Sequence, residues 1–263
     1  VAITAKDVQA LRQATGVGMM DAKKALEANG GDMAAATKWL RVQGLASAAK
    51  RAGREAGEGA VAAVRDGNAA AIVEMRCETD FVAKSEEFVS LVDEIAAKVA
   101  AEGEDAVGAF ADRVESLLTT LKENISIGRV VRLQAGEGEV VETYVHQQSG
   151  RGVIGVAVVV RGSSAEVAHD VAVHIASERP IYLRREDVPE VDVAAERATV
   201  EEISRNEGKP EAVLPKIIEG RLNGWFKERV LLEQPYVKDD KQTIAQFLGA
   251  ASIVAYALVV VGV

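Results

Sequence analysis

The sequence predicts an α+β protein. Its expected parts are an N-terminal three-helix module of the ubiquitin-associated type, a core of two α+β subdomains with antiparallel sheets, and an inserted antiparallel helical hairpin. Three observations predict it. Near the N-terminus apolar residues recur at helical spacing between glycine breaks. After Gly59 the period switches to strand-like alternation around short glycine turns. Later, two long helical runs meet at Gly208-Lys209-Pro210 and interrupt the strands. Strands joined by short turns rather than by helices pair antiparallel, and the uneven mixture of elements argues against a doubly wound parallel sheet.

Thr4 to Asp7 reads as a capping box before a helix that turns Val8 and Leu11 inward. Gly16-Val17-Gly18 ends it, and Met19-Met20-Asp21 opens a second helix with Ala22, Ala25 and Leu26 inward. Asn29-Gly30-Gly31 breaks that one, and Asp32 caps a third with Met33, Ala36, Trp39 and Leu40 toward the core. Residues 44–59, rich in Ala and Gly, read as a helical linker whose Lys50, Arg51 and Arg54 form a solvated basic face. Runs 60–65 and 69–75 flank the hairpin signal Asp66-Gly67-Asn68. Amphipathic helices are expected at 85–101 and 107–124. Strands are expected at 127–134, 140–146 and 153–161, with a serine-capped helix at 164–177. Ile72 and Ile154 hold corresponding places in two hairpins that each lead into a helix, a weak internal echo. The hairpin helices are expected at 193–206 and 211–232, with an apolar stripe of Val193, Ile203, Leu214, Ile217, Ile218 and Leu222. A short helix at 243–248 precedes a strand at 253–261. That strand is apolar on both faces, which suits a central or covered place better than an open edge. The expected boundaries are 1–54 for the module and linker, 55–139 for the first core subdomain, 140–186 and 233–263 for the second, and 187–232 for the hairpin.

A net charge of −9 weighs against a nucleic-acid partner, because sequence-independent binders carry a broad basic face. The single Cys77 cannot form an internal disulfide, which suits a reducing cytosol. No signal-peptide pattern opens the chain, and the apolar run 253–263 is too short to span a bilayer, so the expectation is a soluble, cytoplasmic protein without a membrane partner.

No P-loop motif occurs, and Gly16-Val17-Gly18 follows a helix where a dinucleotide fingerprint needs a strand. His146, His169 and His174 include one pair at i, i+5, which is wrong for two metal ligands on one helical face. Cys77 has no flanking residues that would activate a thiol. The expectation is no catalytic residue, no cofactor and no metal. The stretch Thr79-Asp80-Phe81-Val82 stands out instead. It sets an acid and a ring at a strand–helix junction, where side chains usually face outward. Phe81 either caps the local core or serves as an apolar anchor for a partner. Met19 and Met20, beside Gly18, carry the same two readings, core or adaptable docking surface.

Five runs, spread in order over nearly the whole chain, carry a resemblance. They are Leu11-Arg12-Gln13-Ala14-Thr15-Gly16-Val17-Gly18-Met19-Met20-Asp21-Ala22-Lys23-Lys24-Ala25-Leu26, Glu78-Thr79-Asp80-Phe81-Val82-Ala83, His174-Ile175-Ala176, Ile218-Glu219-Gly220-Arg221-Leu222-Asn223, and Leu232-Glu233-Gln234-Pro235-Tyr236-Val237-Lys238-Asp239-Asp240. Through them the sequence resembles bacterial elongation factor Ts, the nucleotide exchange factor of elongation factor Tu. The resemblance implies that Phe81 enters an apolar pocket of that GTPase with Asp80 hydrogen-bonding beside it. It also implies that Met19-Met20 docks on another helix of the same domain and that His146 approaches a second domain. Three positions depart from the family pattern. Ala22 stands where Cys is frequent. Gln147-Gln148-Ser149-Gly150-Arg151-Gly152 replaces a shorter Gly-Gly-Arg turn after His146, and the sequence stops at Val263, where some members have a further helix. The hairpin is expected to serve assembly, including a possible homodimer. A ubiquitin-associated-like adaptor without exchange activity is the alternative function, although it leaves the Thr79–Val82 run unexplained.

Overall fold

The computed structural model describes residues 3–51 and 53–263, with the side chains of 45–51 outside the description. The expected basic side chains of Lys50 and Arg51 therefore lie outside the described residues.

Three helices come first, α1 (Ala5–Thr15), α2 (Met19–Ala28) and α3 (Met33–Arg51). Thr4 and Asp7 close the capping box, each accepting from the other's backbone N–H. Val8, Leu11, Ala22, Ala25, Leu26, Ala36 and Leu40 form the module's core as expected. Met33 does not join them. It lies on the first turn of α3 and stays exposed, while Trp39 packs at the rim. The helix α3 runs on through the expected linker to Arg51.

The core begins with the hairpin β1 (Glu58–Asp66) and β2 (Ala69–Cys77). The one-turn helix α4 (Asp80–Ala83), the long α5 (Glu86–Glu102) and α6 (Ala111–Leu121) lead to β3 (Ser126–Gln134), giving an antiparallel sheet ordered β1-β2-β3. A second sheet repeats this plan. A hairpin of β4 (Glu139–Gln148) and β5 (Arg151–Arg161) leads into α7 (Ala165–Glu178), and β8 (Ser252–Val260) returns much later to give the order β4-β5-β8. Between them lie α8 (Glu190–Asn206), α9 (Leu214–Arg229), the small hairpin β6 (Pro235–Tyr236) and β7 (Asp239–Thr243), and α10 (Ile244–Leu248).

The alternation of β2 builds the layers. Ala71, Val73, Met75 and Cys77 face α5, where Phe88, Leu91, Val92, Ile95 and Val99 complete a buried cluster. Ala70 and Ile72 face the other way and meet Val61, Val141, Ala157, Val159 and Val259 between the sheets. Strand β5 repeats the pattern, with Ile154, Val156, Val158 and Val160 packed on Val171, Ala172 and Ile175 of α7. The result is helix, sheet, sheet, helix. The two sheets touch closely because β5 carries glycines where it crosses β1. A Cβ on Gly152 would stand 2.1 Å from the Val61 carbonyl oxygen, and one on Gly155 would stand 2.9 Å from methyl groups of Ile72 and Val61.

Four further expectations change. The helix expected at 107–124 is split into a 3-10 turn, Glu104–Phe110, and α6, because Phe110 is buried against the core and breaks the helical register there. The hairpin stripe is Val200, Leu214, Ile218 and Leu222. Ile203 is exposed, and the buried Ser204 takes the next inward place by donating its hydroxyl to the Val200 carbonyl. The β4–β5 turn shrinks to Ser149-Gly150, both with positive φ as a tight hairpin requires, and Gln147 and Gln148 join the strand. Strand β8 is an edge strand paired only with β5. It is apolar on both faces because Tyr256 and Leu258 meet the α7 side while Ala257 and Val259 meet the other sheet.

His174 is fully buried where α7, the end of α9 and the β6 strand converge. Its Nδ1 accepts from the Val237 N–H at 3.2 Å, and its Nε2 lies 3.1 Å from Gln234 Oε1. That pairing needs the neutral ring with the proton on Nε2. Burial lowers its pKa, against the opposing pull of Gln234 and Glu178. The unfolded chain therefore takes up a proton that the fold refuses. Stability is expected to fall as pH drops below about 6.5 toward the folded pKa. Denaturant melts at pH 7.5 and 5.5 check this, and in His174→Gln that part of the pH dependence should vanish.

Candidate functional site

The junction after β2 is built from side chains that face inward so that one ring can face outward. Cys77 ends the strand, fully buried, and its thiol donates to the Thr79 carbonyl at 3.2 Å. Burial, with Glu123 nearby, pushes its pKa up to about 12, so it stays a thiol and a poor nucleophile. Thr79 is extended, and its hydroxyl accepts from the Val82 N–H to cap α4. Within that single turn Ala83 is buried and Val82 packs on the sheet–helix core, which leaves Phe81 no inward place. Ser85 then caps α5 at once, so no slack backbone follows.

Phe81 is 83% exposed. A ring so open contributes nothing to the core, which removes the core-capping reading. Asp80 beside it pairs with Lys84 Nζ at 2.5 Å. The hydrogen bond from Lys84 holds its carboxyl below the usual range, with a further pull from the Arg151 charge. The pair forms across one turn of the same helix and leaves the carboxylate partly open to solvent.

Met19 and Met20, on the first turn of α2, are 46% and 77% exposed. The inward positions of that helix are filled by Ala22, Ala25 and Leu26 instead. A Met19→Ala, Met20→Ala double variant is expected to melt within about 2 °C of the parent, since exposed truncations cost little. A drop corresponding to the ~2–5 kcal/mol of a buried methionine would contradict this.

The structure joins these two exposed groups through the residues that end α6. Lys122 reaches Asp21, next to Met20, and Glu123 binds the backbone of Thr79. Sequence reasoning missed both, along with Glu78, whose carboxylate accepts from the Asn124 N–H at 2.7 Å. The only local signal was a Lys-Glu-Asn run at a helix end. His146 stands apart on β4, exposed, with its Nδ1 3.4 Å from the Tyr144 hydroxyl. It borders a cleft of about 650 Å³ that is also lined by Glu58, Arg151 and Arg179. Arg151 is anchored to Glu58 at 2.7 Å and to the Gly59 carbonyl at 2.6 Å.

Residues 78–263 match the family model described as Elongation factor TS, and that match begins at the junction residue Glu78. Curated relatives extend the similarity over the three-helix module as well. The chain is 48% identical to Elongation factor Ts of Clavibacter michiganensis over 95% of this chain and 94% of that protein. It is 46% identical to that of Renibacterium salmoninarum over the same shares, and 45% identical to that of Micrococcus luteus over 92% of each. A family match that covers most of the chain and relatives nearly half identical along almost its whole length show that the protein belongs to the elongation factor Ts family of translation elongation factors.

Proposed function

We propose that this chain binds elongation factor Tu in its GDP-bound form and promotes GDP release, with Thr79, Asp80, Phe81, Val82, Met19 and Met20 on the contact surface and no active site of its own. The observation that carries the reading is the 83% exposure of Phe81 on a turn whose other side chains are all engaged. An exposed rigid aromatic is the usual anchor of an interface. Thr79 and Val82, half-buried, form the base of that surface, and Asp80 and Phe81 project from it toward the partner.

Exchange needs no acid, base or nucleophile. A GTPase holds GDP through P-loop amides and a Mg²⁺ ion. A factor that binds the conformation with those contacts spoiled better than the GDP-bound one shifts the population toward release. Linkage makes the effect mutual, so GTP rebinding expels the factor. His146 is the proposed contact to a second domain of the partner. The cytoplasm, where translation runs, is the proposed location, with neither nucleic acid nor membrane as a direct partner. Among the described residues no helix is long and apolar enough to cross a membrane.

The test is stimulated release of labelled GDP from elongation factor Tu. Binding without release would favour the adaptor reading. The hairpin α8–α9 is proposed to serve assembly or support, including a homodimer. Deleting 193–217 with a short linker is expected to leave release within about two-fold of the parent. Loss of release in a folded deletant would place the hairpin on the exchange surface.

A further inference from the structure

The two exposed groups of the proposed contact surface belong to different packing units, and apolar burial alone does not fix their relation. The three-helix module has its own core. It meets α6 through Arg41, which pairs with Asp112 at 3.1 Å and Glu115 at 3.3 Å, and through Lys122, which pairs with Asp21 at 2.6 Å. Gly44 lets α3 cross α6, since a Cβ there would stand 2.4 Å from Thr119 Cγ2. Two clefts border this contact, lined by Thr, Asp, Glu and Lys side chains together with Val17, Leu40 and Trp39, so the packing there is incomplete. Such an interface sets direction through its ion pairs more than through packing.

The turn that carries Phe81 has a similar need. A four-residue helix does not stand alone. The N–H groups of Glu78 and Thr79 that lead into it are held by one carboxylate, Glu123 Oε2, at 3.0 and 3.1 Å, while Glu123 Oε1 takes the Thr79 hydroxyl. In return Glu78 accepts the Asn124 N–H, and the Asn124 amide donates to the Arg54 carbonyl at 2.8 Å. Lys122 and Glu123 are consecutive, so the two anchor points are about 3.8 Å apart along the backbone. Lys122 adopts the left-handed conformation, φ 59° and ψ 28°. That ends α6 and turns the two neighbouring side chains to different targets, the ammonium to the module and the carboxylate to the Phe81 turn.

We propose that Lys122 and Glu123 form a clasp that positions the Met19-Met20 face and the Phe81 turn as one rigid bipartite surface for the GTPase partner. The proposal rests on the exchange reading above. Both residues are positioning residues that act through Phe81 and Met20.

The test is a double-mutant cycle on stimulated release of labelled GDP from elongation factor Tu at sub-saturating factor. Glu123→Gln keeps the size and one acceptor but loses the charge that holds two amides. It is expected to lower release about ten-fold in the parent chain. In the Phe81→Ala background it is expected to lower release less than two-fold, because the group it positions is gone. Amide hydrogen exchange at Glu78 and Thr79 should speed up in Glu123→Gln while the β2 and β5 amides stay protected. If Glu123→Gln melts early, Asp21→Asn, which opens only the module side, is cycled against Met20→Ala with the same expected non-additivity. Equal losses in both backgrounds would overturn the clasp, as would full activity of Glu123→Gln, and either would leave the exchange reading standing. A wild-type chain that releases no GDP would overturn that reading and the clasp with it.

Discussion

Phe81→Ala is expected to leave the melting transition of the free protein in place and to cut stimulated GDP release roughly thirty- to several-hundred-fold. The first half follows from exposure. A ring 83% open to water makes few contacts for truncation to remove, whereas a buried phenylalanine such as Phe88 would cost about 3–5 kcal/mol. The second half follows from what the ring can do in a complex. An aromatic anchor enclosed at an interface is worth ~2–4 kcal/mol, and when that energy is realised only in the state that has lost GDP it appears in the rate. Asp80→Ala should lose about ten-fold or less, since a single surface hydrogen bond is worth on the order of 1 kcal/mol and Asp80 already pairs with Lys84. A denaturant melt and a stopped-flow release assay decide the matter. A destabilised Phe81→Ala protein that still drives release at the parent rate would sink the anchor.

Gly152→Val is expected to cost about 3 kcal/mol or more of folding stability, against about 1–2 kcal/mol for Gly155→Ala. The two glycines lie on one strand but face different obstacles. At Gly152 the added carbon would meet the Val61 backbone oxygen at 2.1 Å, which can yield only if β1 moves as a whole. At Gly155 it would meet methyl groups of Ile72 and Val61, which can rotate or shift by a few tenths of an ångström. For a chain of this size the first corresponds to a fall in melting temperature of roughly 6–12 °C. Thermal melts of the two variants check the ranking, and the reverse order would mean that the sheets separate more easily than the close contact implies.

Most of the fold was legible because it is written in local chemistry. Gly67 and Gly138 have positive φ at the turns where strand signals were interrupted, and Thr4, Ser85, Ser164 and Thr243 cap the helices that follow them. What failed depended on distant partners. The apolar character of β8 showed that both its faces are covered, but not that one backbone edge is unpaired. Hydrogen-bond order is set by which strands arrive, and side chains do not report it. Ile203 lost its inward place to Ser204, a short side chain that satisfies itself on the preceding turn and so can be buried. At the site, an aromatic beside an acid at an element boundary was visible as an oddity, and the family resemblance supplied its direction. The residues that hold it were invisible, because Glu123 and Thr79 meet across a helix pair and neither residue type is unusual where it stands.

The late arrival of β8 has a consequence for how the chain is made. The first sheet is complete once β3 has been synthesised, and its strands close a loop of roughly fifty residues between β2 and β3. The second sheet must wait for β8, which joins β5 only after roughly ninety further residues, including the whole α8–α9 hairpin. On the ribosome, where synthesis runs from the N-terminus, the half that carries Phe81 can therefore fold first. Strand β5 then spends seconds with the backbone edge of residues 154–161 unpaired, at synthesis rates of about 5–20 residues per second. That interval is where this fold is most exposed to mispairing, and the half already folded beneath it, touching β5 through Val61 and Ile72, is the surface on which the strand can wait.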